Sequence, residues 1–361
     1  MPIREQALPN NAPLGPALLA ARLREYGATD VNILDLNAYR IDDAQARTRG
    51  LSNGRVLSEV EVFSLIEAFL QKHGDQDLIG LSGLITTLAW QKRVARIVRA
   101  HRQNGLLVSG GGLATEFREN LFPWIPELDG IAHSEGDDVI LKIAFDAKLI
   151  KNQGLTGAIN SGLLNPYCRG IKNHRPLFVY DGGRPNSLDQ LPLPAWDLLH
   201  TDIYGNQVLE NYIVNPIWGN SAQNSSSTPF KMQRSLNTVS SRGCPFACRF
   251  CFRGAQGERN YGVRSSQNLL FEVEYLSKKY NIDFIGFTDD NFMVDRRRIQ
   301  EMASQTPQLP DFAKIPWGTH GRLDEAADQT RSCSKTADET VHHRRVDYMA
   351  EAGCTYIGFG I

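Results

Sequence analysis

Three cysteines fall within eight positions of this 361-residue chain, in Cys244-Pro245-Phe246-Ala247-Cys248-Arg249-Phe250-Cys251, and no other stretch points so directly to chemistry. As thiolates at this C-x3-C-x2-C spacing they can wrap three irons of a cubane cluster and leave the fourth iron open to a chelating substrate. Two plainer readings compete with that one. A structural zinc site wants four protein ligands, and no Cys or His follows Cys251 at a suitable short distance. Buried free thiols would not need the flanking Ser241-Arg242-Gly243, nor a place directly after an expected strand, where barrel enzymes set their chemistry. Cys168, Cys333 and Cys354 stand alone and read as small apolar residues.

The elements that must carry this loop alternate between strand and helix, the pattern of parallel sheets with crossover helices. In the amino-terminal part, helix 14–26 precedes strand 31–36. Ser58-Glu59-Val60-Glu61 is a capping box that opens a helix carrying Val62, Phe63, Ile66, Phe69 and Leu70. Strand 78–82, a helix around Trp90, Val94 and Val98, strands 106–109 and 130–132 and a helix from Asp138 complete a doubly wound unit over 1–150. Periodicity fades in 151–234, where Leu191-Pro192-Leu193-Pro194-Ala195-Trp196-Asp197 reads as an extended connector. From 235 to 361 alternation resumes: strands 236–240, 284–288, 315–319 and 355–359 with helices 267–279, 296–303 and 341–352 between them. That is a partial (β/α) barrel. Both ends look cut short, because residues 1–13 contain no apolar first strand and the barrel stops on a strand.

Composition narrows the partners. A net charge of -1 lacks the basic footprint that draws proteins to phosphate backbones, so no nucleic acid is expected. No apolar run is long enough to span a bilayer and the amino terminus has no signal-peptide pattern, so the expectation is a cytoplasmic protein without a membrane. Crowded cysteines in a long chain suit a metal site in a reducing compartment better than a disulfide framework.

The cysteine loop, with Phe250 just ahead of its last cysteine, resembles the signature of the radical S-adenosylmethionine superfamily. The resemblance implies that Cys244, Cys248 and Cys251 ligate a [4Fe-4S] cluster. The open iron would then bind S-adenosylmethionine, and electron transfer would release a 5'-deoxyadenosyl radical. It also implies an electron donor such as a flavodoxin or ferredoxin. Asp289-Asp290-Asn291 after the second barrel strand and His320 and Arg322 after the third stand where relatives hold the methionyl and ribose groups. On the residues alone, the Asp pair could equally cap the next helix and Arg322 could make a surface salt bridge. Arg264, Ser265 and Glu272 fit a recurrent pattern after the loop without a role to assign.

A doubly wound domain joined to such a barrel through Leu-Pro-x-Pro-Ala-Trp-Asp resembles the cobalamin-dependent branch of that superfamily. The matching pieces are Leu14-Gly15, Ser82-Gly83, Gly110-Gly111-Gly112 and Glu135-Gly136, each expected at a loop beside a strand end. Ligands of open α/β sheets lie across the carboxyl ends of strands, and a flat macrocycle needs close backbone approach, although single glycines after strands are usually plain turns. Neither D-x-H-x-x-G, which would supply a histidine to cobalt, nor the G-x-G-x-x-G of dinucleotide sites is found. The resemblance implies cobalamin-binding (Rossmann-type) and radical domains acting together. Its leading reaction is methylation of an unactivated carbon in a small-molecule or natural-product substrate. Oxidative cyclisation or hydroxylation of the porphyrin-ester cyclase type is the alternative, and a non-catalytic cofactor-binding protein or inactive fragment is the alternative of another class.

Overall fold

A computed structural model of the chain describes residues 11–36, 38, 58–102, 104–165, 168–172, 175–199, 201, 205, 207–214, 232–249, 251, 261–327 and 344–360. Helix α1 (Leu14–Glu25) comes first, followed by α2 (Glu59–His73), which begins as its capping box requires. The Ser58 side chain accepts from Glu61 N at 3.3 Å and Glu61 accepts from Ser58 N at 2.8 Å. Strands β1 (Leu78–Ser82), β2 (Leu106–Gly110) and β3 (Gly130–His133) are linked by α3 (Leu88–His101) and by the short helices α4 (Gly112–Phe117) and α5 (Leu121–Trp124). Helix α6 (Val139–Asn160) then leads to β4 (Cys168–Lys172) and β5 (Arg175–Asp181).

These strands form one sheet in the order β1-β2-β3-β5-β4, parallel except for β4. Its faces follow the period-two rule of a strand. Leu107, Ile131 and Val179 point into a core with Val62, Ile66, Ala95 and Val98, while Leu106, Val108, Phe178 and Tyr180 point to the opposite core with Val139 and Ile143. The expected boundary at residue 150 therefore falls inside α6, and the first sheet continues through Asp181, because β5 pairs with β3 and not with the barrel.

Two other expectations change. Residues 31–36 form no ladder strand, although Leu34 and Leu36 pack on the first core and Asp30 accepts from the Gln76 amide at 2.9 Å just ahead of β1. Apolar alternation places side chains, but a strand also needs a partner edge in register. The connector is not simply extended. Trp196 and Leu199, with helix α7 (Val208–Ile213), bury Val208, Leu209, Tyr212 and Ile213 in the barrel's core, while the backbone of Ala195 donates to Ala17 O of α1 at 3.0 Å.

The second sheet contains β6 (Ser235–Thr238), β9 (Phe284–Phe287), β10 (Trp317–Gly321) and β11 (Cys354–Phe359), all parallel in the order β11-β10-β9-β6. Helices α8 (Ser266–Tyr280), α9 (Arg296–Gln305), α10 (Leu323–Ala327) and α11 (Arg345–Glu351) alternate with these strands. Ser265 and Asp295 cap α8 and α9 through Asn268 N and Arg298 N. Phe287, Phe292 and Trp317 stack at centroid distances of 4.9–5.3 Å beneath the strand ends, which gives the half barrel a rigid floor. A two-residue antiparallel ladder, β7 (Ser241–Arg242) with β8 (Gly262–Val263), stands apart from both sheets. Among the described residues no helix is long and apolar enough to cross a membrane.

Under the first sheet, fully buried Asp146 accepts from Tyr180 Oη at 3.0 Å and from Asn165 Nδ2 at 2.9 Å. Burial holds its carboxyl above the ordinary value of 3.8, against the opposing pull of those hydrogen bonds. The folded state thus favours the protonated form, and the stability this contributes is present below 3.8 and lost as pH rises through the raised value. Urea unfolding of wild type and Asp146→Asn across that window should show the balance moving towards the variant as pH rises, then levelling off. A pH-independent difference would rule this out.

Candidate cluster and cofactor site

The chain leaves β6 at Thr238, passes through Val239 and Ser240 into β7, and the pairing of β7 with β8 forms a neck at the root of the segment that carries the cysteines. The neck is built around buried Asp289, which is 4% exposed. Its carboxylate accepts from Ser240 N at 2.6 Å, from Ser241 Oγ at 2.7 Å and from Ser240 Oγ. Two arginines then take up the carbonyls of the crossing segment. Arg298, 2% exposed, donates to Ser240 O at 2.8 Å and to Phe292 O at 2.9 Å, and Arg264 donates to Val239 O at 3.1 Å. Arg264 also pairs with buried Glu272, which accepts from Thr238 Oγ1 at 3.1 Å. Buried backbone groups must find partners, and here side chains of the next two helices and of the Asp289 turn supply them.

This geometry separates the residues of Asp289-Asp290-Asn291. Asp289 faces inward and braces the loop through these hydrogen bonds. Asn291 is likewise committed: its Oδ1 accepts from Met293 N at 3.1 Å, capping the turn 292–294, and its amide donates to Glu325 at 2.6 Å. Only Asp290 is exposed.

His320 and Arg322 lie at and beyond the carboxyl end of β10. Partial burial lowers the His320 pKa, with the Asp289 charge opposing it. Gly358 on β11 makes room for the ring, since a Cβ there would lie 2.7 Å from His320 Cδ2. Arg322 reaches the cysteine loop: Nη1 donates to Cys248 Sγ at 3.0 Å and the guanidinium covers the Phe246 ring at 4.1 Å. Its other nitrogens meet Asp324 at 3.0 and 2.6 Å, and that pairing raises the guanidinium pKa.

Cys244 and Cys248 are half-buried, Cys251 is exposed, and none of the three is in a disulfide, with Cys251 N turned onto Cys248 O at 3.2 Å. Among the described residues no three His, Cys, Asp or Glu side chains converge as metal ligands. The donor set nonetheless suits a cubane cluster, with three cysteines outside any disulfide within eight positions and the Arg322 cation against the Cys248 sulfur. Phe250 lies outside the described residues.

At the first sheet the loops after β1 and β2 pack on each other. Leu113 N donates to Gly83 O at 3.0 Å. Gly111, at φ +78, would place a Cβ 3.1 Å from Ser82 Oγ, and Gly112 would place one 2.8 Å from Leu84 Cδ2. Ser82, Gly83, Gly110, Gly111 and Gly112 are thus brought to one edge, beside the exposed side chains of Leu84 and Ile85. Glu135 is engaged by Arg184 and Arg242, and Gly136 lies against Leu19. Leu14 and Gly15 occupy the first turn of α1 and not a loop after a strand, which corrects that expectation. Arg298 and Arg184 are polar residues that sequence reasoning missed, while Arg242 was noted only as flanking the cysteine loop. Their partners are distant in the chain, and only the Arg242 position, two residues before Cys244, offered a hint.

A parallel half barrel with a C-x3-C-x2-C loop at the end of its first strand, following a doubly wound sheet, defines a radical S-adenosylmethionine architecture. Residues 238–361 match the Radical SAM superfamily, so this part of the chain carries a Radical SAM domain. Over 97% of its length it is 25% identical to an uncharacterized methyltransferase of Pyrococcus horikoshii, covering 60% of that protein. It is 24% identical to the cytidylyl-2-hydroxyethylphosphonate methyltransferase of Streptomyces wedmorensis, covering 61% of it. It is also 22% identical to the anaerobic magnesium-protoporphyrin IX monomethyl ester cyclase of Rubrivivax gelatinosus, over 87% of this chain and 47% of that one. The chain therefore spans about half to three-fifths of the length of these relatives. The fold matches the cobalamin-dependent S-adenosylmethionine radical enzyme OxsB with aqua-cobalamin bound, at a TM-score of 0.65 and 17% identity, covering 99% of this chain and 42% of that one.

Removing the Asp289 carboxylate should open the neck. Asp289→Ala is expected to lose about 1–3 kcal/mol of stability through the buried donors it leaves unpaired, and to take up less iron on anaerobic reconstitution. The neighbouring Asp290→Ala should match wild type in melting temperature and iron. Equal iron uptake by the two variants would contradict the bracing role.

Proposed function

We propose that this chain is a cobalamin-dependent radical S-adenosylmethionine enzyme that methylates an unactivated carbon of a small-molecule substrate. One observation carries the proposal. The cysteine loop is rooted at the carboxyl end of β6, and its neck is ion-paired through Arg242 to the Glu135-Gly136-Asp137 loop at the carboxyl end of β3, the edge where ligands of open α/β sheets lie. The first unit, through Asp181, is assigned to cobalamin and the unit from 235 onward to the cluster and S-adenosylmethionine.

Cys244, Cys248 and Cys251 would hold the cluster. With it bound, S-adenosylmethionine would supply the hydrogen-abstracting radical and cobalamin a transferable methyl group. The chain's own residues have separate tasks. Arg322, fixed by Asp324 and by the Phe246 ring, keeps a positive charge against the Cys248 sulfur. Asp289 and Arg298 keep the loop's root from moving. Asp290 and His320 line the carboxyl ends of β9 and β10, where a polar ligand of the open iron would be gripped. On the other side, Leu84 and Ile85 with the close-packed glycines 110–112 present an apolar, low-profile edge suited to a flat macrocycle. The task of such a site is to orient reactive centres and exclude water. A one-electron reductant of the flavodoxin or ferredoxin type completes the requirement.

The similarity to the cyclase of Rubrivivax gelatinosus favours a second reading, radical oxidation of the substrate without methyl transfer. Products separate the two. S-adenosylhomocysteine formed together with 5'-deoxyadenosine supports methylation, while 5'-deoxyadenosine alone supports oxidation. Anaerobic reconstitution tests the shared premise: wild type should retain iron, sulfide and cobalamin, whereas Cys248→Ala should lose iron and sulfide yet keep cobalamin. Full iron retention by Cys248→Ala would refute the ligand assignment, and a wild type unable to retain cobalamin would refute the role given to the first sheet.

A further inference from the structure

Glu135 receives two arginines at the junction of the two sheets. Arg242, from β7 and two residues before Cys244, puts Nη1 2.7 Å from Glu135 Oε2 and 2.6 Å from Asp137 Oδ2, while its Nη2 lies 3.2 Å from Asp137 Oδ1. Arg184, just beyond β5, reaches Glu135 Oε1 at 2.6 Å. The Arg184 stem also runs along the other strand of the neck, for a Cβ on Gly262 of β8 would lie 2.6 Å from Arg184 Cδ. Both strands of the neck are thus gripped from the first sheet, β7 by charge and β8 by packing.

This is not a loose surface pair. Asp137 is 6% exposed and Arg242 19%, and burial alone would weaken the arginine's hold on its proton; the carboxylates of Asp137 and Glu135 more than reverse that. A largely buried, forked contact has one good geometry, and a lysine cannot reproduce it. The Glu135 backbone is fixed too, since a Cβ on Gly182 at the end of β5 would lie 2.1 Å from Glu135 O. The neck is therefore tied to the end of the first sheet.

We propose that Arg242, with Glu135, Asp137 and Arg184, is a positioning clamp that sets the register of the cysteine loop against the carboxyl edge of the first sheet, and so the separation of the two cofactors. The inference rests on the reading of both cofactors given above, and two measurements keep the failures apart. The first uses the full chain without cofactors: hydrogen exchange of peptides covering 239–251 in wild type, Arg242→Gln, Asp137→Asn, the double variant and Arg242→Lys. Arg242→Gln and Asp137→Asn should each speed exchange in the loop by about tenfold or more. The double variant should be no worse than either alone, and Arg242→Lys should recover part of the protection. Met349→Ala, which lowers the melting temperature from within the barrel core on α11, serves as the control and should leave the 239–251 pattern unchanged. The second uses reconstituted protein and reads the magnetic coupling between the reduced cluster and cob(II)alamin by electron paramagnetic resonance. Arg242→Gln should still bind both centres but lose or alter the coupling seen in wild type. Unchanged loop exchange in Arg242→Gln, equal deprotection by Met349→Ala, or unaltered coupling with both centres bound would each overturn the clamp. If wild type binds no cobalamin, the functional reading fails and the exchange measurement decides the clamp by itself.

Discussion

A carboxylate withdrawn from water must be met by donors on every side, and Asp289 meets that demand by drawing the Ser240 amide and the Ser240 and Ser241 hydroxyls to itself. Much of the site's geometry follows from this one contact. It turns the chain out of the β6 direction just where the cysteine loop must begin. Arg298 and Arg264 then take the carbonyls that the turn strands, so the route is specified by directional bonds and not by packing alone. The root of the loop proposed to hold a cluster is thus held by directional bonds.

The same logic extends to the junction. Both sheets direct strand ends towards the loop, and the aromatic floor of Phe287, Phe292 and Trp317 holds the second sheet's end rigid beneath it. Helix α1 works from the outside. Ala17 packs in the barrel's core and Ala20 and Ala21 pack on Ala195, while Arg22 and Arg24 pair with Asp138 and Asp197, so one helix touches the first sheet's crossover and the connector together.

The sequence was legible where structure depends on local pattern. The capping box at Ser58, the strands β2, β3 and β9 and the helices α8 and α9 follow from periodicity and turn chemistry, and the cysteine spacing alone located the candidate site. It was illegible where meaning depends on partners far along the chain. Residues 31–36 alternate like a strand but find no edge to pair with. Asp289 and Asp290 are the same residue type one position apart, and only the placement of Ser240, 49 residues earlier, decides which is buried. Leu14 and Gly15 were expected both to open a helix and to match a ligand loop of a family pattern, and the helix start is what the structure shows. Arg242 and Glu135 are 107 residues apart, a separation no local pattern spans.

Why charge, and not an apolar contact, joins the loop to the first sheet can be argued from what the junction must do. Apolar surfaces hold elements together but tolerate sliding, because burial is non-directional and many offsets bury similar areas. An arginine fork against two carboxylates has a single good register and carries a heavy penalty if one member is left unpaired in a dry place. Small inter-domain contacts otherwise permit relative motion. If two cofactors must exchange a group across the gap, an error of about an ångström is costly in rate. A directional clamp beside Cys244 is the kind of contact that limits such an error.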